Sequence, residues 1–174
     1  LAEMRRLVDA NPENGKVVFP YLGGEELNTS PTHAHHRYVI NFGQMDEVDA
    51  RKWPDLMAIV EAKVKPGRLT DKRESYRKRW WQFAEKRADL TAAMANRSHV
   101  LCRSLTSKHS AFAALSTSSV LDQTLIVFVF PERRTAQLGH VDHPILPCSL
   151  FAPFAVLQSG IHEVWSRFFG ATMK

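Results

Sequence analysis

Gln123 to Phe130, QTLIVFVF, is the stretch that decides the fold. From Leu125 onward every residue is apolar and most are β-branched or aromatic, over a length that suits a strand and falls short of a helix. A run that is apolar on both faces predicts a central, fully covered strand. Working outward, His99 to Leu105 and Ala111 to Leu115 read as two more strands. Val17 to Pro20, closed by a Gly23-Gly24 turn, and Arg37 to Phe42, RYVINF, are further strand candidates.

The helical signals lie around these strands. Met4, Leu7 and Val8 predict a helix over Ala2 to Asp9, and Leu90 with Met94 another over Arg87 to Ala95. Val48, Trp53, Leu56, Ile59 and Val60 recur at helical intervals across Asp46 to Ala62, with a break or a fresh start expected at Pro54. Pro66-Gly67 reads as a turn, Pro131 to Pro147 as a loop, and Leu157, Ile161, Trp165 and Phe168 as one face of a helix ending at Gly170. Strands and helices mix without βαβ alternation. The expected class is therefore α+β: a single mixed domain over residues 1–174 with a small, largely antiparallel sheet flanked by helices.

The 174 residues are 44% hydrophobic and 24% charged, an ordinary balance for a globular protein with its own core. Cys102 and Cys148 allow one bridge at most, too few for a disulfide scaffold. The longest apolar run, Leu125 to Phe130, is far below the roughly 18 residues of a membrane span. The beginning, LAEMRRLVDA, has no signal-peptide core and no initiator Met. It reads as an internal cut, so the expectation is a fragment of a larger cytoplasmic chain.

Charge is unevenly spread. Lys63 to Arg87 contains ten basic and three acidic residues, a net of +7, while the remainder of the chain is at −2. A positive excess confined to one stretch attracts polyanions, nucleic acid foremost; a solvated helix face is the plainer alternative. Arg77-Lys78-Arg79 runs directly into Trp80-Trp81-Gln82-Phe83. Basic groups neutralise phosphates, an amide can read adenine in the major groove, and aromatics pack on bases or sugars. If this segment is extended, alternation sends Trp81 and Phe83 to the core and Trp80 and Gln82 outward. Ser107-Lys108-His109, between two strands, is a second basic turn. The DNA-binding candidates are Lys63, Lys65, Arg68, Arg73, Arg77, Lys78, Arg79, Gln82, Lys108 and His109.

Catalytic patterns are weak by comparison. Pro54-Asp55 with Glu61-Ala62-Lys63 spells the PD…ExK pattern of metal-dependent nucleases, and a small nuclease using Asp55, Glu61 and Lys63 is the competing function. Yet Asp55 and Glu61 fall within one helical pattern, on different faces. His33, His35, His36, His109, His140 and His143 lack carboxylate or thiolate partners at ligand spacing, so no metal is expected. No GxSxG elbow or phosphate-binding glycine loop occurs.

Six ordered blocks carry a resemblance: PYLGGEELN (Pro20 to Asn28), HHRYVINFG (His35 to Gly43), VKP (Val64 to Pro66), WWQF (Trp80 to Phe83), SKH (Ser107 to His109) and LQSGIHEVWSRFFG (Leu157 to Gly170). Over nearly the whole chain the sequence resembles the C-terminal target-recognition region of MmeI-like type II restriction-modification enzymes and related adenine-specific DNA methyltransferases. The resemblance implies a prokaryotic specificity domain that reads double-stranded DNA. It also implies a SAM-dependent methyltransferase domain elsewhere in the same polypeptide, residues 1–15 or so being the linker from it. The NPPY-type tetrapeptide is absent, since Asn11-Pro12-Glu13-Asn14 lacks its second proline and its aromatic. No catalytic residue and no cofactor of this chain's own are therefore expected.

Overall fold

The computed structural model describes residues 2–83, 87–107, 111–130, 148–160, 162 and 164, with the side chains of 148 and 149 excepted. In chain order its elements are α1 (Ala2–Ala10), a 3-10 turn (Pro12–Lys16), β1 (Val18–Leu22), α2 (Gly24–Thr29), β2 (Arg37–Ile40), α3 (Glu47–Ala50), α4 (Pro54–Lys63), α5 (Lys65–Leu69) and α6 (Glu74–Lys78). There follow α7 (Ala88–Met94), β3 (His99–Ser104), β4 (Phe112–Ser116), β5 (Val120–Leu121), β6 (Leu125–Phe128) and α8 (Cys148–Leu157). The class is α+β, with two small, largely antiparallel sheets. The chain forms two compact units, residues 1–21 with 36–89 and residues 22–35 with 90–174.

In the first unit β1 and β2 pair antiparallel, Val18 opposite Ile40 and Tyr21 opposite Arg37. The expected long helix over Asp46 to Ala62 is two helices. Asp46 caps α3, its Oδ1 accepting from the Asp49 N–H at 2.8 Å. Pro54 opens α4, where its fixed φ suits the first turn and its missing N–H costs no bond. Leu56, Met57 and Val60 then turn inward onto Val17, Phe42, Ala50 and Trp80, which together form the buried core of this unit. Val48 is not in that core as its spacing suggests. The four-residue α3 is too short to carry the α4 phase, and Val48 points to solvent. Pro66 likewise starts a helix, α5, rather than marking a turn.

In the second unit β3 pairs antiparallel with β4 on one side and β6 on the other. The central strand is thus β3, and the Leu125–Phe128 strand lies at an edge, correcting the sequence expectation. Its all-apolar run has another cause: both of its faces are covered. Val127 and Val129 pack with the cluster of Leu22, Val100, Cys102, Ala113, Leu115, Leu121 and Leu125. Phe128 and Phe130 pack on the other side with Leu101 and with Leu150, Phe154 and Leu157 from α8. Helix α8 begins at Cys148, earlier than the apolar spacing from Leu157 indicates, and carries Pro153 inside it. The expected loop 131–147 and the helix face at Ile161, Trp165 and Phe168 lie outside the described residues.

Gly23-Gly24 is not a closing turn but the start of α2. Glu26, fully buried, accepts from the Gly23 N–H at 2.8 Å, the inward half of a capping box. The Gly24 N–H donates to Thr124 Oγ1 at 2.9 Å, and a Cβ at Gly24 would lie 2.8 Å from Ser104 Oγ. Close approach of helix to strand requires glycine here.

Candidate nucleic-acid interface

The basic stretch folds as the end of α4, then α5, α6 and a turn, all within the first unit. Its cations divide by what they touch. Lys65 donates to the Glu61 carboxylate one helical turn back, and its Nζ lies 4.7 Å from the centre of the Trp80 ring. The Lys65 ammonium, by hydrogen bond and by charge, holds the Glu61 carboxyl below the usual carboxylate range. Lys78 pairs with Glu74 at 2.7 Å. Arg77 Nη1 donates to two backbone carbonyls, Asp71 at 2.6 Å and Lys72 at 3.1 Å, closing the turn between α5 and α6. Arg68 and Arg73 both stack on Tyr76, with guanidinium carbons 5.2 and 5.0 Å from the ring centre.

Lys63, Lys72 and Arg79 are different. All three are exposed, and their side chains have no hydrogen-bond or ion-pair partner among the described residues. An exposed ammonium or guanidinium that is not neutralised by a neighbour keeps its charge available to an approaching anion. Lys72 is the residue that sequence reasoning passed over. The available signal was its place in the run Lys72-Arg73, but only the pairing of its neighbours singles it out.

The aromatic segment behind this surface runs opposite to the expected alternation. Residues 79–82 form a turn, so Trp80 at 5% exposure and Gln82 at 7% face inward, while Phe83 is 37% exposed. Gln82, expected to look outward as a base reader, donates through Nε2 to the Met45 carbonyl at 2.6 Å. Trp81 Nε1 donates to the same carbonyl at 3.0 Å. The amide thus ties the turn to the segment between β2 and α3, and its Oε1 is buried without a hydrogen-bond partner among the described residues. Such an orphan acceptor offsets part of what the Nε2 bond contributes. Gln82→Ala should lower stability by only about 1 kcal/mol, measured by urea unfolding, and leave any preference among DNA sequences unchanged. A loss of preference at one base pair would return Gln82 to the groove.

Lys108 and His109 lie outside the described residues, as do His140 and His143. Asp55, in the first turn of α4, is exposed, and Glu61 is engaged by Lys65. With Lys63 exposed and unpaired, the three residues of the nuclease pattern do not converge, and they form no metal-ligand cluster among the described residues. No helix among the described residues is long and apolar enough to cross a membrane. In comparisons with family models, with curated proteins and with solved structures, nothing matches this chain.

Proposed function

We infer that the chain binds duplex DNA through the Lys63–Arg79 surface, as the target-recognition part of an adenine-N6 methyltransferase or fused restriction-modification enzyme. In this reading methyl transfer and the SAM it consumes belong to a separate catalytic domain of the same polypeptide. The recognition part positions the duplex while the catalytic domain extrudes the adenine. The observation that carries the reading is the division of the basic residues: some are spent on holding the fold, while Lys63, Lys72 and Arg79 remain exposed and unpaired among the described residues. The six sequence blocks supply the class of parent enzyme. The absence of convergence among Asp55, Glu61 and Lys63 favours binding over hydrolysis.

The test is a salt titration. With Lys63, Arg68, Lys72, Arg73 and Arg79 on phosphates, log K plotted against log salt should have a slope of about −4 to −5. A flat plot removes DNA as the partner. In parallel, plasmid incubated with magnesium or manganese should stay intact; cleavage abolished by Asp55→Ala would establish the nuclease instead.

A further inference from the structure

We propose that the first unit holds a binding site for a small alkyl carboxylate, with the hydrocarbon chain beside α1 and the carboxylate at Lys63. A cavity of about 350 Å³ lies between α1, the β1–β2 pair and α4, within the roughly 300 to 1,000 Å³ of small-molecule sites. Its walls are aliphatic: Met4 and Leu7 of α1, Val18 and Ile40 of the strands, and Leu56 and Ile59 of α4. Leu56 is fully buried, and Leu7, Val18 and Ile40 pack against the core of the unit. The space exists because α1 is fastened beyond its middle and not at its start. Asn14 Nδ2 donates to the Leu7 carbonyl at 2.8 Å and the Asn11 N–H to the same carbonyl at 3.2 Å, whereas no residue of α1 is buried.

The lining decides what the cavity takes. Aliphatic side chains offer no donors or acceptors, so a sugar or a nucleobase set among them would bury polar groups without partners. A hydrocarbon chain loses no hydrogen bonds there and gives these side chains the close dispersion contacts of a packed interior. Glu3, His36 and Lys63 are the exposed residues of the lining and mark its mouth. Lys63 has no hydrogen-bond or ion-pair partner among the described residues, and it opens the stretch Lys63 to Arg87, whose net charge is +7. Glu3 is followed on α1 by Arg5 and Arg6, so its carboxylate does not reverse the positive potential at the mouth. Arg37 also lines the cavity but is occupied, its guanidinium carbon 5.2 Å from the centre of the Tyr21 ring. The anchor is Lys63 alone. One apolar chain ending in one anionic group matches this combination. The site goes beyond the DNA-binding reading and shares Lys63 with it.

The experiment is isothermal titration of the full 174-residue chain with hexanoate, octanoate and, as an uncharged control, octanol. No DNA is present, so the outcome is independent of the DNA-binding assignment. One octanoate per chain should bind, about tenfold tighter than hexanoate, since each enclosed methylene is worth about fourfold. Lys63→Gln should weaken octanoate about twofold to fivefold, as expected for an exposed ion pair, and leave octanol unchanged. Ile59→Trp fills the cavity from α4 and should cost octanoate about tenfold or more, the worth of roughly two methylenes, with circular dichroism reporting the fold. Should that variant not fold, Met4→Trp decides in its place, because it fills the cavity from a helix that has no buried residue. No saturable binding of octanoate, or wild-type binding by the folded filling variant, overturns the site. An equal response of octanoate and octanol to Lys63→Gln, whether a loss or none, overturns the carboxylate as the head group.

Discussion

Lys63, Lys72 and Arg79 changed together to Ala should weaken duplex binding roughly 100-fold or more at 0.1 M salt and make the salt plot shallower by nearly 3. None of the three side chains has a hydrogen-bond or ion-pair partner among the described residues, so thermal unfolding should shift little. The contrasting variant removes cations of the other kind. Lys78→Ala breaks an exposed pair with Glu74 and leaves that carboxylate uncompensated, so its effect on DNA is partly an added local negative charge. Fluorescence anisotropy with a labelled duplex at several salt concentrations separates the two cases. Equal losses from the triple variant and from any random triple of surface lysines would show that the position of these charges is irrelevant.

Trp80→Ala should be the most damaging single change in the first unit, at about 3–5 kcal/mol of stability. The indole is 5% exposed and packs in one cluster with Val17, Phe42, Leu56, Met57 and Val60. It also meets the Trp81 ring edge-on, with centres 5.8 Å apart, and lies under the Lys65 ammonium. Removing it leaves a cavity at the point where the basic surface is fastened to the core. Denaturant unfolding measures the stability loss, and DNA binding should fail with it rather than before it. A variant that remains as stable as wild type but no longer binds DNA would instead make Trp80 a contact residue.

Strands β1, β2, β3, β4 and β6 were legible because their apolar runs are dense and bounded by turn residues, whereas the two-residue β5 is too short to carry a pattern; α1 and α4 were legible because their inward residues keep helical phase. Pro54 announced the break between α3 and α4 correctly. The same residue type misled at Pro66, where a short helix follows the proline; α5 and α6 together bury no residue, so no periodic apolar face exists to announce them. Helix α2 was hidden by its two glycines, whose purpose becomes visible only with Glu26 and Ser104 in place. The location of the positive charge could be read from sequence, but not which charges are committed. That depends on partners such as the Asp71 carbonyl and the Tyr76 ring, which linear spacing does not reveal. The edge position of β6 was equally hidden, since an apolar strand reports how many faces are covered and not how many neighbours it pairs with.

The contact between Gly24 and Ser104 sets a limit on how this chain can vary. Ser104 is 2% exposed and its hydroxyl accepts from Asn28 Nδ2 at 3.2 Å, so it cannot swing away from an added methyl group without giving up that bond. The two positions, 80 residues apart in the chain, therefore share one allowance of volume. In a library randomised at both, alanine at 24 should survive only alongside glycine or alanine at 104, which lack the Oγ that the added methyl group would meet. Co-selection of this kind would mark the helix and strand as neighbours in folded survivors before any further structure is determined.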